Sequence, residues 1–167
     1  MRMICLLGLG EVSTILAEDL AGRTGIVLKA WDLQFADAQS KPSHALRELP
    51  QVIAADSAAT AAQDCDLVIS AVTAAQDLAA AQSVLCGLRP GAWFLDLNSV
   101  SPGTKCTVAE VVTRSRGRYV EAAVMSPIGP KRIASPILVG GPHAEAFLAE
   151  GIALGFSGMR FCAAQLG

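Results

Sequence analysis

The stretch MICLLGLGEVSTILAEDL, Met3 to Leu20, constrains the fold more than any other part of the chain. Met3 to Leu7 is an uninterrupted apolar run, the mark of a strand covered on both faces. Gly8-Leu9-Gly10 breaks the run, and apolar residues then recur at Val12, Ile15, Leu16 and Leu20, which is helical spacing. Gly22 and Gly25 follow, as punctuation of a helix end. A strand, a glycine turn and a helix in this order open a β-α-β unit, because a parallel neighbour is reached only by crossing over the sheet.

The rest of the chain repeats the alternation. Strands are expected at Ile26–Trp31, Val52–Ala54, Asp66–Val72, Trp93–Leu97, Tyr119–Val124, Ile137–Val139 and Met159–Ala163. Helices are expected at Ser57–Gln63 with Ser57 as N-cap, Ala75–Leu88, Ser101-Pro102 to about Arg114, and Ala144–Leu154. Lys41 to Pro50 reads as a loop or short helix. The pattern predicts an α/β fold: one domain, residues 1–167, with a doubly wound, mostly parallel sheet and helices on both faces. Ligands of such sheets bind at the carboxyl edge of the strands.

Composition narrows the function classes. The chain is 52% hydrophobic but only 5% aromatic, with mean hydropathy +0.44, so the core must be built from Ala, Val, Leu and Ile. That apolar bias predicts surface covered by a further domain or a second copy. A net charge of −2 gives no electrostatic basis for binding nucleic acid or an anionic membrane. Arg114, Arg116 and Arg118 read as the solvated end of a helix. No stretch is apolar for long enough to span a bilayer. Met1 to Gly10 weakly mimics a secretory leader, but the glycines and Glu11 interrupt it and no small-residue cleavage site follows. A cytoplasmic location is the expectation. The five cysteines, Cys5, Cys65, Cys86, Cys106 and Cys162, form no Cys-x-x-Cys pair; they read as reduced thiols serving as small core residues. With His44 and His143 the only histidines, no histidine-based metal site is expected.

The glycine turn carries chemistry. Gly8 lets the chain leave the strand tightly, and Gly10 lets backbone approach a pyrophosphate with no Cβ between them. The following helix start, Glu11-Val12-Ser13, offers N–H groups and a partial positive charge to phosphates. Ser13 stands where a third glycine would complete Gly-x-Gly-x-x-Gly. That position governs helix-to-strand packing, and serine is small. Asp32 ends the second strand, 22 residues after Gly10, where a carboxylate accepts hydrogen bonds from a ribose 2′-OH and repels a 2′-phosphate. NAD is therefore favoured over NADP. Another nucleotide-like ligand, or an Asp32 that only caps the following segment, is the alternative.

LLGLGEVSTILAEDL resembles the N-terminal signature of the β-hydroxyacid dehydrogenase superfamily, which includes 3-hydroxyisobutyrate and 6-phosphogluconate dehydrogenases. Val12, Ser13, Leu16 and Asp19 stand where that signature has Met, Gly, Met and Asn. DLVISAVTAAQDL (Asp66–Leu78) resembles the family's fourth strand and the loop beside the nicotinamide ribose, which implies Val72 and Thr73 in cofactor binding with Gly8, Leu9, Gly10, Glu11, Val12, Ser13 and Asp32. FLDLNSVSPGT (Phe94–Thr104) resembles the Asp-x-Ser-Thr-x-x-Pro segment lining the substrate pocket, and EAAVMSPIGPKRIASPILVGG (Glu121–Gly141) resembles the Asp-Ala-Pro-Val-Ser-Gly-Gly block. These imply Asn98, Ser99 and Ser126 as substrate-binding residues. Met125-Ser126-Pro127 replaces Ser-Gly-Gly, and Pro127 has no N–H for a carboxylate. The combination is similar to a branch whose substrate need not be a simple β-hydroxyacid.

The family's members continue into a helical domain that dimerises and supplies a lysine as general acid/base. Here Lys29, Lys41, Lys105 and Lys131 are the only lysines, and none follows the last strand. Lys131, beside Arg132, reads as an exposed loop residue. Asp96 reads as a residue that orders its loop, and Asn98, Ser99 and Ser126 can position but are poor bases. The expectation is a cofactor-binding half of an NAD(P)-dependent oxidoreductase acting on a small hydroxyacid-like molecule, with no turnover alone and completed by a helical domain or by homo-oligomerisation. The competing readings are a non-catalytic dinucleotide-sensing module and a methyltransferase with a similar glycine turn; the latter leaves DLNSVSP unexplained.

Overall fold

A computed structural model describes residues 1–167. Eight strands form one sheet in the order β3-β2-β1-β4-β5-β6-β7-β8. They are β1 (Arg2–Leu7), β2 (Ile26–Trp31), β3 (Val52–Ala54), β4 (Leu67–Ser70), β5 (Trp93–Asp96), β6 (Arg118–Val124), β7 (Ile137–Gly140) and β8 (Met159–Ala163). The helices are α1 (Glu11–Ala21), α2 (Lys41–Arg47), α3 (Ala58–Ala62), α4 (Asp77–Val84), α5 (Pro102–Arg114) and α6 (Ala144–Ala153). All neighbours pair in parallel except β6 and β7. Residues 125–136 between them contain Pro127, Pro130 and Pro136 and no α-helix, so the chain returns without a crossover and the pair runs antiparallel.

Alternation along the central strands sorts the core onto two faces. Ile4, Leu6, Leu67, Ile69 and Leu95 join α1 and α6 on one side. Cys5, Leu7, Val68, Phe94 and Tyr119 join α3, α4 and α5 on the other. Both faces being covered explains why these strands read as continuous apolar runs. Ser57 caps α3 by accepting from Thr60 N at 3.1 Å, and Ser101 caps α5 by accepting from Thr104 N at 3.2 Å. Pro102 follows at the first helical position, where a missing N–H is harmless.

Three expectations need correction. Only Cys5 and Cys65 are core thiols; Cys86, in the turn after α4, Cys106, on the outer face of α5, and Cys162, on the edge strand β8, are exposed. Burial pushes the Cys65 thiol up to about 11 and raises Cys5 as well, so neither is a thiolate at neutral pH. Arg118 is not part of a solvated helix end. It lies on β6, its guanidinium 3.6 Å from the Trp93 ring centroid and its Nε donating to Gly91 O at 2.7 Å. The helix predicted from Ala75 begins as a 3-10 turn, Ala74–Gln76, and becomes α-helical only at Asp77. No helix is long and apolar enough to cross a membrane. The six exposed large apolar side chains, Met1, Leu33, Ile53, Met125, Ile152 and Phe161, lie on six different segments.

Candidate functional site: a cleft at the carboxyl edge

Strand order reverses between β1 and β4: the chain winds outward through β2 and β3, then returns to β4 on the other flank of β1. Crossover connections diverge there and leave a crevice. A cavity of about 840 Å³ fills it, walled by Gly8 and Gly10 after β1, Trp31 and Asp32 at the end of β2, Val72 and Thr73 after β4, and Asn98 and Ser99 after β5.

The glycine turn is built as its residue types require. Gly8 has φ +84°, and a Cβ there would lie 2.7 Å from Ala71 O and 2.8 Å from Val72 Cγ1. Any other residue would push β1 and β4 apart. Gly10 is different: it lines the cavity, and a Cβ there would meet no protein atom within 4 Å. Gly10 is the N-cap of α1 and has no side chain to satisfy the first-turn N–H groups, which are left for water or a ligand. The side chain of Leu9 is buried in the core; its backbone N–H donates to Asp32 Oδ2 at 2.8 Å. Glu11 and Val12 line the cavity mouth. Ser13 is fully buried, and its Oγ has no partner. It fits the glycine position sterically but leaves a buried hydroxyl unsatisfied.

Asp32 faces the cleft. Its Oδ1 accepts from Gln34 N at 2.8 Å while Oδ2 holds the Leu9 amide. It therefore caps the 3-10 turn Leu33–Ala36 and also braces the glycine turn. Lys41 lines the same end and is exposed.

At the other end, below Val72 and Asn98, lies a buried polar network. Asp96 is fully enclosed at the tip of β5, and Lys105 of α5 is 3% exposed. Lys105 Nζ sits 3.0 Å from Asp96 Oδ1, Tyr119 Oη donates to Asp96 Oδ2 at 2.7 Å, and Asn98 N donates to Asp96 Oδ1 at 2.9 Å. The tyrosine is held neutral, raised far above its usual range by burial and by Asp96. The Asn98 side chain, expected to reach a substrate, turns inward. Its Oδ1 accepts from Val72 N at 2.6 Å; its Nδ2 donates to Ser70 Oγ at 3.0 Å and Asp77 Oδ1 at 2.8 Å. Ser99, beside it, is exposed and lines the cavity.

Ser126 is not brought to the cavity wall. It lies in the β6–β7 loop, which is strapped to α1: Arg132 pairs with Glu18 at 2.6 Å and Asp19 at 2.8 Å, and Ile133 N donates to Asp19 Oδ2 at 3.0 Å. Lys131 is exposed, as expected of a loop residue. Lys105 and Asp77 are the residues that sequence reading passed over. Each interrupts an apolar stripe, Lys105 with Val108, Ala109 and Val112 and Asp77 with Ala80, Ala81 and Val84. A charge at a stripe position was the available signal.

The profile of the NAD binding domain of 6-phosphogluconate dehydrogenase matches residues 3–154. A conserved hypothetical protein from Sinorhizobium meliloti 1021 is 35% identical with a TM-score of 0.88, the match covering 100% of this chain and 56% of that one. The 3-hydroxyisobutyrate dehydrogenase of Mycobacterium tuberculosis, solved with L-serine, shares the fold at a TM-score of 0.81 and 23% identity over 98% of this chain and 55% of its own. The cytokine-like nuclear factor N-PAC of Danio rerio is 39% identical over 64 residues, 36% of this chain and 14% of that protein. The chain thus spans about half the length of the solved structures it matches. The profile match runs from the first strand through the last helix, and a glycine turn and an aspartate stand at the cleft where a dinucleotide fold needs them: the chain belongs to the family of the NAD binding domain of 6-phosphogluconate dehydrogenase.

Proposed function

We propose that this chain is the cofactor-binding half of an oxidoreductase that uses NAD in preference to NADP and acts on a small hydroxyacid-like molecule by hydride transfer. The observation that carries the reading is the open space at Gly10. Gly10 lines the cavity and caps α1 without a side chain, and a Cβ there would touch no protein atom, which leaves room for a ligand to lie against backbone. The first-turn amides of α1, from Glu11 to Ser13, would hold the pyrophosphate. Asp32, already oriented by two backbone donors, would accept from the adenosine ribose, and its charge disfavours a 2′-phosphate. Val72 and Thr73 would border the nicotinamide ribose. When bound, the nicotinamide supplies the hydride chemistry.

Substrate would enter beside Ser99, with Asn98 acting on it only through the wall it supports; Ser126, off the cavity wall, would join the site only with a movement of its loop. The titratable residues lining the cavity are Glu11, Asp32 and Lys41, none of them at the β5 end. Lys105, Asp96 and Tyr119 are bound to one another beneath the floor. A substrate hydroxyl there has no base to take its proton. This supports a half-site, completed by a helical domain or a second copy that contributes the base. The same observation favours a second reading, a module that binds the dinucleotide without catalysis.

Fluorescence titration with NADH and NADPH, followed by an assay of hydroxyacid oxidation, tests both. NADH is expected to bind at least ~10-fold more tightly than NADPH, a difference of about 1.4 kcal/mol, with no turnover. NADPH binding without NADH binding overturns the role of Asp32. Turnover by the chain alone overturns the half-site.

A further inference from the structure

Asp77 opens α4 and is fully enclosed. Its Oδ1 accepts one hydrogen bond, from Asn98 Nδ2 at 2.8 Å, and its Oδ2 has no partner. The surrounding elements bring it no counter-charge of its own. α3, β4 and the Ala74–Gln76 turn contribute no charged side chain. β5 contributes Asp96, of like charge; α5 contributes Lys105, already paired to Asp96 at 3.0 Å; β6 contributes the neutral Tyr119, which donates to Asp96. The buried set holds one cation and two carboxyls, and the cation is committed to the other one. Burial raises the proton affinity of Asp77, the charge of Asp96 raises it further, and the Asn98 hydrogen bond and Lys105 oppose them. A buried carboxyl with no charged partner is the group whose protonation responds most to a new charge nearby.

Asn98 links Asp77 to the cleft. The same side chain that donates to Asp77 accepts from Val72 N, and Val72 lines the cavity whereas Asp77 does not. Resting on the cofactor reading above, we propose that Asp77 is a charge-sensing positioning residue beneath the nicotinamide end of the cleft, which makes the preference for oxidised over reduced cofactor depend on pH. The oxidised nicotinamide ring is cationic and the reduced ring is neutral. The ionised Asp77 attracts only the former, and the cationic ring in turn favours loss of the Asp77 proton; the two effects are one linkage. Glu11, Asp32 and Lys41 also line the cleft, but they face both forms of the cofactor and are unchanged in an Asp77 variant.

The test has a ligand-free and a ligand-bound arm. Carboxyl ¹³C NMR follows the Asp77 titration in the free chain, with NAD⁺ and with NADH. Calorimetry measures both dissociation constants from ~pH 5 to ~pH 9 in the wild type and in Asp77→Asn, which keeps an acceptor for Asn98. Asp77 is expected to titrate above ordinary carboxyls in the free chain, to shift down with NAD⁺, and to shift less with NADH. The NADH-to-NAD⁺ ratio of dissociation constants is expected to rise roughly 3- to 10-fold across Asp77 ionisation, and to be flat in Asp77→Asn. An Asp77 titration identical in all three states, or a pH-dependent ratio that survives in Asp77→Asn, overturns the sensor while leaving the cofactor reading intact. Binding of neither cofactor at any pH overturns the cofactor reading, and the sensor with it.

Discussion

Asp32 lines one end of the cleft, and Asp77 lies buried outside its lining, joined to the other end through Asn98; they share a chemistry but not a surrounding. Asp32 is half-buried, and each of its oxygens is met by a backbone N–H, from Leu9 and from Gln34. Asp77 is enclosed, meets one side-chain donor, and leaves an oxygen with none. Two preorganised donors at a solvated site stabilise a carboxylate that can accept from a ligand. One donor at a dry site leaves a carboxyl whose charge is uncompensated. The donors around each aspartate, and not its place at a strand tip or helix start, set this difference.

The largest expected effect breaks the buried end. Lys105→Met removes the only cation from a site holding Asp96 and Asp77. Losing one partner of an enclosed pair typically costs about 3–5 kcal/mol, to be read by urea denaturation. A loss below about 1 kcal/mol would mean that Asp96 is protonated or hydrated without its lysine. Next, Gly10→Ala adds a Cβ that no protein atom approaches within 4 Å, at a small N-cap cost. It is expected to lower the melting temperature only slightly while weakening NADH binding by roughly 30-fold or more, about 2 kcal/mol. Asp32→Ser sharpens the other half of the comparison. NADH is expected to weaken roughly 10-fold and NADPH to weaken less or improve, because a repelling charge is gone.

Asp77→Asn is expected to be mildly stabilising at neutral pH, by about 1 kcal/mol or less. The sign follows from the raised proton affinity of Asp77 in the fold. The neutral acid is the form the fold accepts, so its contribution is intact below the unfolded carboxyl range and is lost as pH rises through the folded titration. The gain from Asn should therefore vanish below ~pH 4. A variant that stabilises equally at every pH would break the contrast with Asp32. The smallest effect is at Ser13, whose buried hydroxyl is also unpartnered. Ser13→Ala is expected to raise stability by about 0.5 kcal/mol through helix propensity and the lost polar burial, measurable as a small increase in denaturation midpoint.

Much of this architecture was legible in the residues. The apolar runs of β1, β4 and β5 fixed a sheet covered on both faces, and Gly8-Leu9-Gly10 with Asp32 marked its ligand edge. The antiparallel return of β7 was not read from the sequence; it follows from the 125–136 segment, which carries three prolines and no α-helix. What could not be read was partnership. Asp96 gave only the hint that it orders its loop, which its bond to Asn98 N matches; that it also holds Lys105 and Tyr119 depends on β5, α5 and β6 converging. Asn98 was expected to face a ligand, yet side-chain amides go where donors and acceptors are densest, and here that is inward toward Ser70, Val72 and Asp77. Asp19, a mild departure from the family signature, proved to anchor Arg132 and Ile133 of a loop more than a hundred residues away.

Sequence alone determined the alternation of strand and helix, the two-sided sheet and the backbone-lined turn after β1, because periodicity and glycine sterics are local properties of the chain. Tertiary structure alone decided which charges meet in the dark beneath the cleft. Pairing and desolvation depend on distances between elements far apart in sequence, and they set whether Asp32, Asp77, Asp96 and Lys105 bind, sense or merely hold the fold together.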